Sequence, residues 1–294
     1  MVIDNTLSRR VFNVINIVFF LLYCLICLVP IIHIFSVSLS SSASVSAGRV
    51  SLLPVDFTLK SYDYVLKKDE FWKALSISVI RVIIGVVVNM LMTILAAFPL
   101  SKTTKEFKAK NFFVWFFVFT LLFSGGMIPT YMIVRYTGLL DSIWALVLPG
   151  AVPVFNVILL MNFFRAVPKE LEESAFIDGA GYFRIMWQIF LPVSLPALAT
   201  LTVFTMVSHW NSWFDGMIYM NDARNYPLQT YLQAILVSPN TKLMTKAQAE
   251  LLRLISDRTL KAAQVFIAAI PILLVYPFLQ RYFVSGLTLG SVKG

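Results

Sequence analysis

Long runs of apolar residues, separated by short polar segments, dominate the chain. The runs are Phe12–Ser36, Leu75–Leu100, Phe112–Arg135, Ile143–Phe164, Pro192–Met217 and Ala262–Phe283. Each is close to the roughly 20 residues that a helix needs to cross the hydrocarbon core of a bilayer. Lipid offers no hydrogen-bond partner to a free backbone group, so each run is expected to be helical. The pattern predicts an all-α integral membrane bundle of six transmembrane helices.

Composition supports the same class. Hydrophobic residues make up 59% of the chain and charged residues only 13%, whereas soluble domains carry about 25% charged residues. The pair Arg9-Arg10 before the first run resembles the start of a signal peptide. However, the run from Val11 to Ser36 is too long for a typical cleaved segment, and no small-residue cleavage site follows it directly. We therefore expect an uncleaved first membrane helix.

The short connections predict the orientation. Lys102, Lys105, Lys108 and Lys110 crowd the loop after the second run, and by parity Arg9-Arg10 lies on the same side. Positively charged loops stay in the cytoplasm, so both termini are predicted to be cytoplasmic. The expected organisation is a cytoplasmic N-terminus (1–11), a transmembrane domain (12–283) with a cytoplasmic loop (165–191) and outer segments (37–74 and 218–261), and a cytoplasmic tail (284–294).

The second outer segment contains a further predicted helix, Thr245–Lys261. Its apolar residues Ala249, Leu252, Ile255 and Leu260 fall broadly on one face. Two interpretations remain open: a lid packed on the outer end of the bundle, or a docking surface for an extracellular partner.

Several kinds of site are not expected. The net charge of +9 lies in short stretches between apolar runs, which is typical of membrane flanks and argues against nucleic-acid binding. Cys24 and Cys27 lie inside the first run, and His33 and His209 have no companion ligand, so no metal site or disulfide is predicted. The chain also lacks the G-x-x-x-x-G-K-[ST] phosphate loop, so the energy for any ATP-driven process must come from a separate subunit.

The cytoplasmic loop between the fourth and fifth runs is predicted to be a helix–turn–helix. Pro168 suits the first turn of a helix, and the acidic residues that follow it lie near the positive helix end. Gly179 and Gly181 break this helix before a second, amphipathic one. The second helix presents Phe183, Met186, Trp187 and Phe190. Such an element can be gripped by a soluble partner, or it is an interfacial connector with no partner.

The spacing within this loop resembles a known signature. Glu173-Ser-Ala is followed by Gly179 four residues beyond Ala175, then nine residues, then Ile189-Phe-Leu-Pro192. This resembles the EAA loop of the permeases of ATP-binding-cassette (ABC) importers, with Ser174 where alanine is usual, and Asp178-Gly179-Ala180 is similar to the form found in carbohydrate importers. The resemblance implies that the ATPase docks on Glu173, Ser174, Ala175, Asp178, Gly179, Ala180, Ile189, Leu191 and Pro192.

The resemblance extends over nearly the whole chain. The lysine loop, Trp210-Asn211, Tyr226-Pro227-Leu228 and residues 280–294 are similar to the second permease of carbohydrate uptake systems, of which the maltose importer is the familiar example. Residues 123–129 and the region Tyr226–Leu228 look most like a subgroup associated with larger plant or host polysaccharide fragments. The resemblance also implies a tail that reaches the ATPase pair, and simple disorder of the tail is the alternative. The tail residues concerned are Gly286, Leu287, Gly290 and Lys293.

The resemblance implies a function and a set of partners. It indicates a non-catalytic, multi-pass permease of the type I importer fold in the bacterial cytoplasmic (inner) membrane, forming half of an oligosaccharide path by alternating access. A second homologous permease, two ATPase subunits, a solute-binding protein (extracellular or periplasmic) and membrane lipid would be the partners, and no nucleic acid is expected. No cofactor is expected on this chain, since ATP and Mg²⁺ would bind the ATPase.

Polar residues inside the apolar runs are candidates for the path, because they are costly in lipid. Trp210, Asn211 and Trp213 form the best group, since aromatic faces stack on sugar rings and an amide bonds hydroxyls, although tryptophan is also common at the membrane interface. Asn156 is a second candidate, but both it and Asn162 fit better as hydrogen-bond partners between helices. Arg81 either snorkels to the interface or lines the path.

The sequence argues against three other functions. An ABC importer of another solute, such as a peptide, disagrees with the Asp178-Gly179-Ala180 form. An ion-driven secondary transporter would need paired carboxylates in the interiors of the spans, which the sequence lacks. A membrane-embedded enzyme would need a catalytic cluster, and the sequence contains none that we recognise.

Overall fold

A computed structural model gives the fold and describes residues 7–237, 258–271 and 273–274. Within those residues every regular element is a helix. The α-helices are α1 (Leu7–Ser38), α2 (Ser42–Ser46), α3 (Lys60–Leu66), α4 (Asp69–Ser101), α5 (Lys110–Leu122), α6 (Met127–Tyr136), α7 (Ile143–Val147), α8 (Val154–Arg165), α9 (Lys169–Ile177), α10 (Tyr182–Ile185), α11 (Leu191–Val193), α12 (Leu195–Asn211), α13 (Phe214–Tyr219), α14 (Leu228–Val237) and α15 (258–271). Short 3₁₀ turns cover Leu148–Gly150 and Ala223–Asn225, and a π turn covers Met186–Phe190.

The described residues divide into two compact units. The first contains residues up to Asp69 together with 235–237 and 258–270, and the second contains Glu70–Ala234 with 271, 273 and 274. In the first unit the apolar side chains of α1 are exposed along its length. A helix that is apolar all round and is largely uncovered by the residues that the structure describes is suited to lipid or to another protein surface.

Buried serines organise the chain after α1. The Ser36 hydroxyl donates to the carbonyl of Leu52 at 2.7 Å, and the Ser40 hydroxyl accepts from the amide of Val55 at 3.0 Å. These bonds satisfy backbone groups where the chain leaves regular helix, as buried polar groups require. In the same unit the ring of Phe35 packs on that of Phe266 in α15, with centroids 4.6 Å apart.

Two helices of the described residues are continuous and apolar enough to cross a membrane: α1 from Val11, and α4. Their positions confirm the first two predicted runs as helices. The helix of the second run begins at Asp69, before the predicted Leu75. Residues 258–271 and 273–274 are helical, in agreement with the start of the sixth run, and the rest of that run lies outside the described residues.

The third and fourth runs are not continuous helices, and the fifth run is interrupted at 212–213, between α12 and α13. Three helix pairs are bent at a short break: α5 and α6 meet at 113°, the α7 segment and α8 at 51°, and the α10–α11 segment, which mostly precedes the fifth run, meets α12 at 83°. The first break contains Gly126, whose φ of 88° favours glycine, and the second contains Pro153 just before α8. At the third, the amide of Leu198 bonds to the Ser194 carbonyl as a new helix begins.

The core of the second unit is built around three aromatic rings. Phe98 of α4, Phe164 of α8 and Phe190 of the π turn are buried and meet edge to face, with centroids 5.1 to 6.2 Å apart. Edge-to-face contacts of this kind stabilise beyond the burial of area alone. The cluster therefore fixes the ends of α4 and α8 against the segment that follows α10.

Candidate functional site

The predicted helix–turn–helix is present in the structure. Its first arm is α9, which begins directly after Pro168, so Pro168 precedes the first turn rather than lying within it. Glu170 and Glu172 lie in the first turn, where the unpaired amides of a helix favour negative charge. The arm is therefore a well-started short helix with an acidic end.

A Schellman cap ends α9 and makes the turn rigid. The amide of Ala180 bonds to the carbonyl of Ala175 at 2.9 Å, and the amide of Gly179 bonds to that of Phe176 at 3.0 Å. Gly179 has a φ of 76°, the left-handed conformation that this cap requires and that glycine adopts without strain. Gly181 differs, because its φ of −79° suits any residue. Of the two glycines that the sequence singled out, only Gly179 is conformationally required.

The second arm runs from Tyr182 to Val193 and is amphipathic. Met186 and Phe190 are buried in the aromatic core, whereas Phe183 and Trp187 are exposed. The predicted apolar face of this arm is therefore divided between the core and the surface. Together with the exposed Ile177 of the first arm, Phe183 and Trp187 give the element an uncovered apolar surface. Uncovered apolar surface of this kind marks a contact with protein or membrane.

The residues of the EAA-like signature fall into two groups. The first group is exposed on α9 and the turn, and comprises Glu173, Ser174, Asp178 and Gly179. The second group packs on the bundle: Ala175, Ala180 and Ile189 are half-buried against the aromatic core, and Leu191 is buried within it. Pro192 is exposed at the last turn of the second arm. One half of the signature is available to a partner, and the other half mostly holds the element in place.

Lys102 joins the element to the end of α4, a contact that the sequence analysis missed. Its Nζ lies 2.6 Å from the Glu172 carboxylate, and its side chain is only 6% exposed. The same Nζ lies 4.3 Å from the ring centroid of Phe98 and 4.1 Å from that of Phe190. The available signal was the spacing of Phe98 and Lys102, which places an aromatic ring and a cation one turn apart at the end of α4, with Lys102 directly after the last helical residue, Ser101.

The lysine loop borders a cavity of about 350 Å³ beside α9. Glu106 lies on its lining and accepts bonds from the hydroxyl and amide of Thr103, each at 2.7 Å. The bond from the Thr103 hydroxyl contributes most to lowering the pKa of Glu106 below its ordinary value. Lys110, Arg165 and Lys169 also line the cavity, so its lining contains both cations and carboxylates.

Comparison with known proteins identifies the family. No protein-family model matches the sequence. The polygalacturonan/rhamnogalacturonan transport system permease protein YtcP of Bacillus subtilis is 39% identical, over 98% of this chain and 100% of the relative. The diacetylchitobiose uptake system permease DasC of Streptomyces coelicolor is 28% identical over 89% of this chain and 90% of its own length. A permease chain in the crystal structure of a bacterial ABC transporter that imports the acidic polysaccharide alginate is 35% identical, with a TM-score of 0.86 over 95% of this chain and 98% of that chain.

The chain belongs to the permeases of ABC importers. The resemblance drawn from the EAA-like spacing is thereby confirmed, and the family's fold is shared over nearly the full length. The division of the signature into an exposed and a packed half is thus a property of this permease. The role of each residue stays a prediction.

The residues predicted for the translocation path do not form one group in this permease. Trp210 is 7% exposed and packs within the chain, whereas Asn211 is exposed and Trp213 is 38% exposed. The Asn156 amide bonds to the Thr205 hydroxyl at 3.2 Å and is buried. This agrees with the interpretation of Asn156 as a partner between helices, while Asn162 is exposed.

Arg81 neither snorkels nor opens to the surface. It is 2% exposed, forms an ion pair with Asp215 of α13, and donates to the Ser212 carbonyl at 3.2 Å. Asp215 falls near the end of the fifth predicted run, and the structure places it beyond the end of α12 at Asn211. Arg81, which the sequence marked as a candidate for the path, therefore links α4 to α13 inside the protein.

Two predicted features fall wholly or mostly outside the described residues. The tail contacts Gly286, Leu287, Gly290 and Lys293 all lie there. Of the outer helix predicted at Thr245–Lys261, only residues 258–261 are described, and these are helical.

Proposed function

We propose that this permease forms half of a path for an oligosaccharide, with a second homologous permease as the other half. The substrate class is a fragment of an acidic polysaccharide. This rests on two relatives: YtcP is named for polygalacturonan and rhamnogalacturonan, and the solved transporter for alginate. Polygalacturonan and alginate are both polymers of uronic acids. The alternative, an importer of a solute other than a sugar, has no support among these relatives.

The helix–turn–helix of residues 169–193 is proposed as the docking element for one of two ATPase subunits, which would bind ATP and Mg²⁺. The carrying observation is the Schellman-capped turn at Gly179, with Glu173 and Ser174 exposed on one side and Leu191 buried on the other. A short element that has a rigid turn and is packed into the bundle at Leu191 can transmit a displacement from a soluble partner to the bundle. Closure of the ATPases on ATP would then move this element and switch the side to which the path opens.

We propose six transmembrane helices in the bacterial cytoplasmic (inner) membrane, with the N-terminus, lysine loop, docking element and tail (284–294) in the cytoplasm. The lysine content of the loop supports this orientation. The ion pair between Lys102 and Glu172 supports assigning the lysine loop and the docking element to the same side of the membrane, because two loops that touch must lie on the same side of the bundle. We also propose that tail residues 286–293 contact the ATPase pair.

A solute-binding protein, extracellular or periplasmic, is proposed to deliver the sugar to the outer face. One solved alginate transporter is described in complex with a periplasmic protein bound to an alginate pentasaccharide, but at 16% identity it supports only the fold here. The loaded binding protein must bind one conformation of the transporter more tightly than the other, or it shifts nothing. Asn211 and Trp213 are the exposed candidates for the path, and Trp210 and Asn156 are assigned to packing around it.

The two glycines of the turn give a matched test. Valine at position 179 must adopt a left-handed conformation that costs on the order of 1–2 kcal/mol, whereas valine at 181 fits an ordinary φ. A Cβ at either position meets no atom within 4 Å, so the backbone alone distinguishes them. Gly179→Val and Glu173→Lys are expected to insert normally but to lose uptake of tetragalacturonate by roughly tenfold, since ~1.4 kcal/mol corresponds to a factor of ten.

Uptake is measured in a deletion strain of the source bacterium complemented with each variant, and substrate-stimulated ATPase activity is measured in the purified transporter. Gly181→Val should behave as wild type, and maltotetraose should be taken up poorly by all variants. Normal substrate-stimulated ATPase activity and uptake in both Gly179→Val and Glu173→Lys would overturn the docking assignment. Preferential uptake of maltotetraose would overturn the acidic substrate class alone.

A further inference from the structure

Lys102 differs from the other lysines of its loop. Its side chain is 6% exposed, whereas Lys105 and Lys108 are exposed and Lys110 is half-buried. Taking an ammonium group out of water is costly unless it gains a close counter-charge and further favourable contacts. A lysine that served only to hold the loop in the cytoplasm would have no reason to be buried. Its buried position therefore indicates a role in addition to keeping the loop in the cytoplasm.

Three elements converge on the ammonium group. Glu172 belongs to the first arm of the docking element, Phe190 to the second arm, and Phe98 to the last turns of α4. The carboxylate is itself only 12% exposed, so the pair is shielded from solvent and weakly screened by salt. The faces of two rings add cation–π attraction on the remaining sides. Lys102 thus holds both arms of the docking element against one long helix.

The end of α4 is fixed to neighbouring segments by two further cations. Arg165, the last residue of α8, donates to the carbonyl of Leu100 at 3.4 Å. Lys110, the first residue of α5, donates to the carbonyl of Lys102. Cations near the free carbonyls at the end of a helix stabilise that end. A movement of the docking element therefore acts on a helix end that these hydrogen bonds hold in place, and not on a frayed end.

We propose that Lys102 is a positioning residue that couples the docking element to α4, so that a push on α9 becomes a movement of α4. The proposal rests on the docking role given to residues 169–193 above. The ion pair fixes the separation of α9 and α4, while purely apolar side chains at the same place would slide past each other. Because α4 is a long continuous helix, it can carry the displacement across the depth of the bundle.

The test compares the number of sugar molecules transported per ATP hydrolysed, using the complete transporter in proteoliposomes with tetragalacturonate. Lys102→Met fills the same space between the two rings without charge. It is expected to retain ATPase binding and ATP hydrolysis but to transport at least about fivefold less sugar per ATP, a change of roughly 1 kcal/mol. Lys102→Arg keeps the cation and should restore the wild-type ratio. Lys105→Met is a matched control at an exposed position of the same loop and should leave the ratio unchanged.

The single substitution leaves Glu172 shielded and unpaired, which alone could prevent folding. The double variant Lys102→Met with Glu172→Met removes both charges and is expected to fold and still to transport with the low ratio. A wild-type ratio in the double variant would overturn the proposal, as would a low ratio in Lys102→Arg. Loss of ATPase binding in the double variant would also overturn it, because Lys102 would then support docking itself. If the docking assignment is wrong, this is seen separately, because Gly179→Val and Glu173→Lys will then transport the wild-type number of sugar molecules per ATP hydrolysed.

Discussion

At the scale of single residues, the buried charges of this permease join segments that are far apart in the chain. Arg81 meets Asp215, and Lys102 meets Glu172. Apolar periodicity and the positive-inside rule place each of these residues on a helix or in a loop, but they say nothing about which distant residue it will face. For this reason the sequence predicts only a topology signal for Lys102 and a snorkelling or path role for Arg81. A pairing is a tertiary property, and one sequence alone does not encode it in local spacing.

The pair between Arg81 and Asp215 should be sensitive to the loss of one partner. Asp215 also accepts bonds from the Ser212 hydroxyl and the Gly216 amide, each at 2.9 Å, so it is held in place to receive the guanidinium. Arg81→Met leaves the carboxylate without its counter-charge, and breaking such a pair costs about 3–5 kcal/mol, with the lower end expected for a partner 23% exposed. The measurement is the free energy of unfolding of the purified permease in mixed micelles.

Two further variants show whether the loss of stability comes from the charge of Arg81 or from its side-chain volume. Arg81→Met combined with Asp215→Leu removes both charges and is expected to recover most of the lost stability, because no unpaired charge remains. Lys73→Met, at an exposed position on the same helix, should change stability by less than about 0.5 kcal/mol. An equal loss in the single and double variants would show that the side-chain volume of Arg81, and not its charge, is what α4 needs.

At the scale of elements, the existence of the helices could be predicted, and their continuity could not. The glycine pair Gly125-Gly126 and the prolines Pro153 and Pro192 are visible helix-breaking signals inside the third, fourth and fifth runs. The high hydropathy of these runs predicts uninterrupted helices in spite of these signals, because an apolar run of membrane length is expected to stay helical in lipid. The docking element was predicted more closely, since its cap is local: the Schellman motif involves only residues within six positions. Local capping chemistry is readable, while bends that depend on packing are not.

The connection between α6 and α7 gives a prediction for pH. Asp141 has a φ of 59° and its carboxylate accepts from the amide and the side chain of Asn221, each at 2.6 Å. The backbone bond from Asn221 is the main cause that lowers the pKa of Asp141 below its ordinary value. A lowered folded-state pKa means that the stabilisation is fully present above the unfolded pKa of about 3.9 and is lost as pH falls through the folded value.

Asp141→Asn keeps the shape of the side chain and removes its titration. The stability difference between wild type and this variant should be constant from pH 7 to about 5 and should shrink as pH falls below about 4, since only the wild-type carboxylate becomes protonated. Thermal unfolding midpoints of both proteins across this range provide the measurement. A difference that stays the same down to pH 3 would mean that the bonds to Asn221 do not depend on the charge.

At the scale of the whole molecule, the orientation in the membrane is predicted from the charge pattern, and the contacts of the loops indicate which segments share a side. The lysine content of the loop predicts its side of the membrane, and the contact of the loop with α9 puts the docking element on the same side.

Exposed positions on the two sides can be labelled in cells after Cys24 and Cys27 are replaced by serine. Lys67→Cys and Tyr136→Cys, with native side chains 74% and 79% exposed, should react with a membrane-impermeant maleimide in intact spheroplasts. In the permease expressed without its ATPase subunits, Lys108→Cys and Ser174→Cys should react only after the membrane is permeabilised. Labelling of Lys108→Cys in intact spheroplasts would reverse the orientation, and unlike labelling of Lys108→Cys and Ser174→Cys would contradict the contact between the two loops, whatever the number of helices.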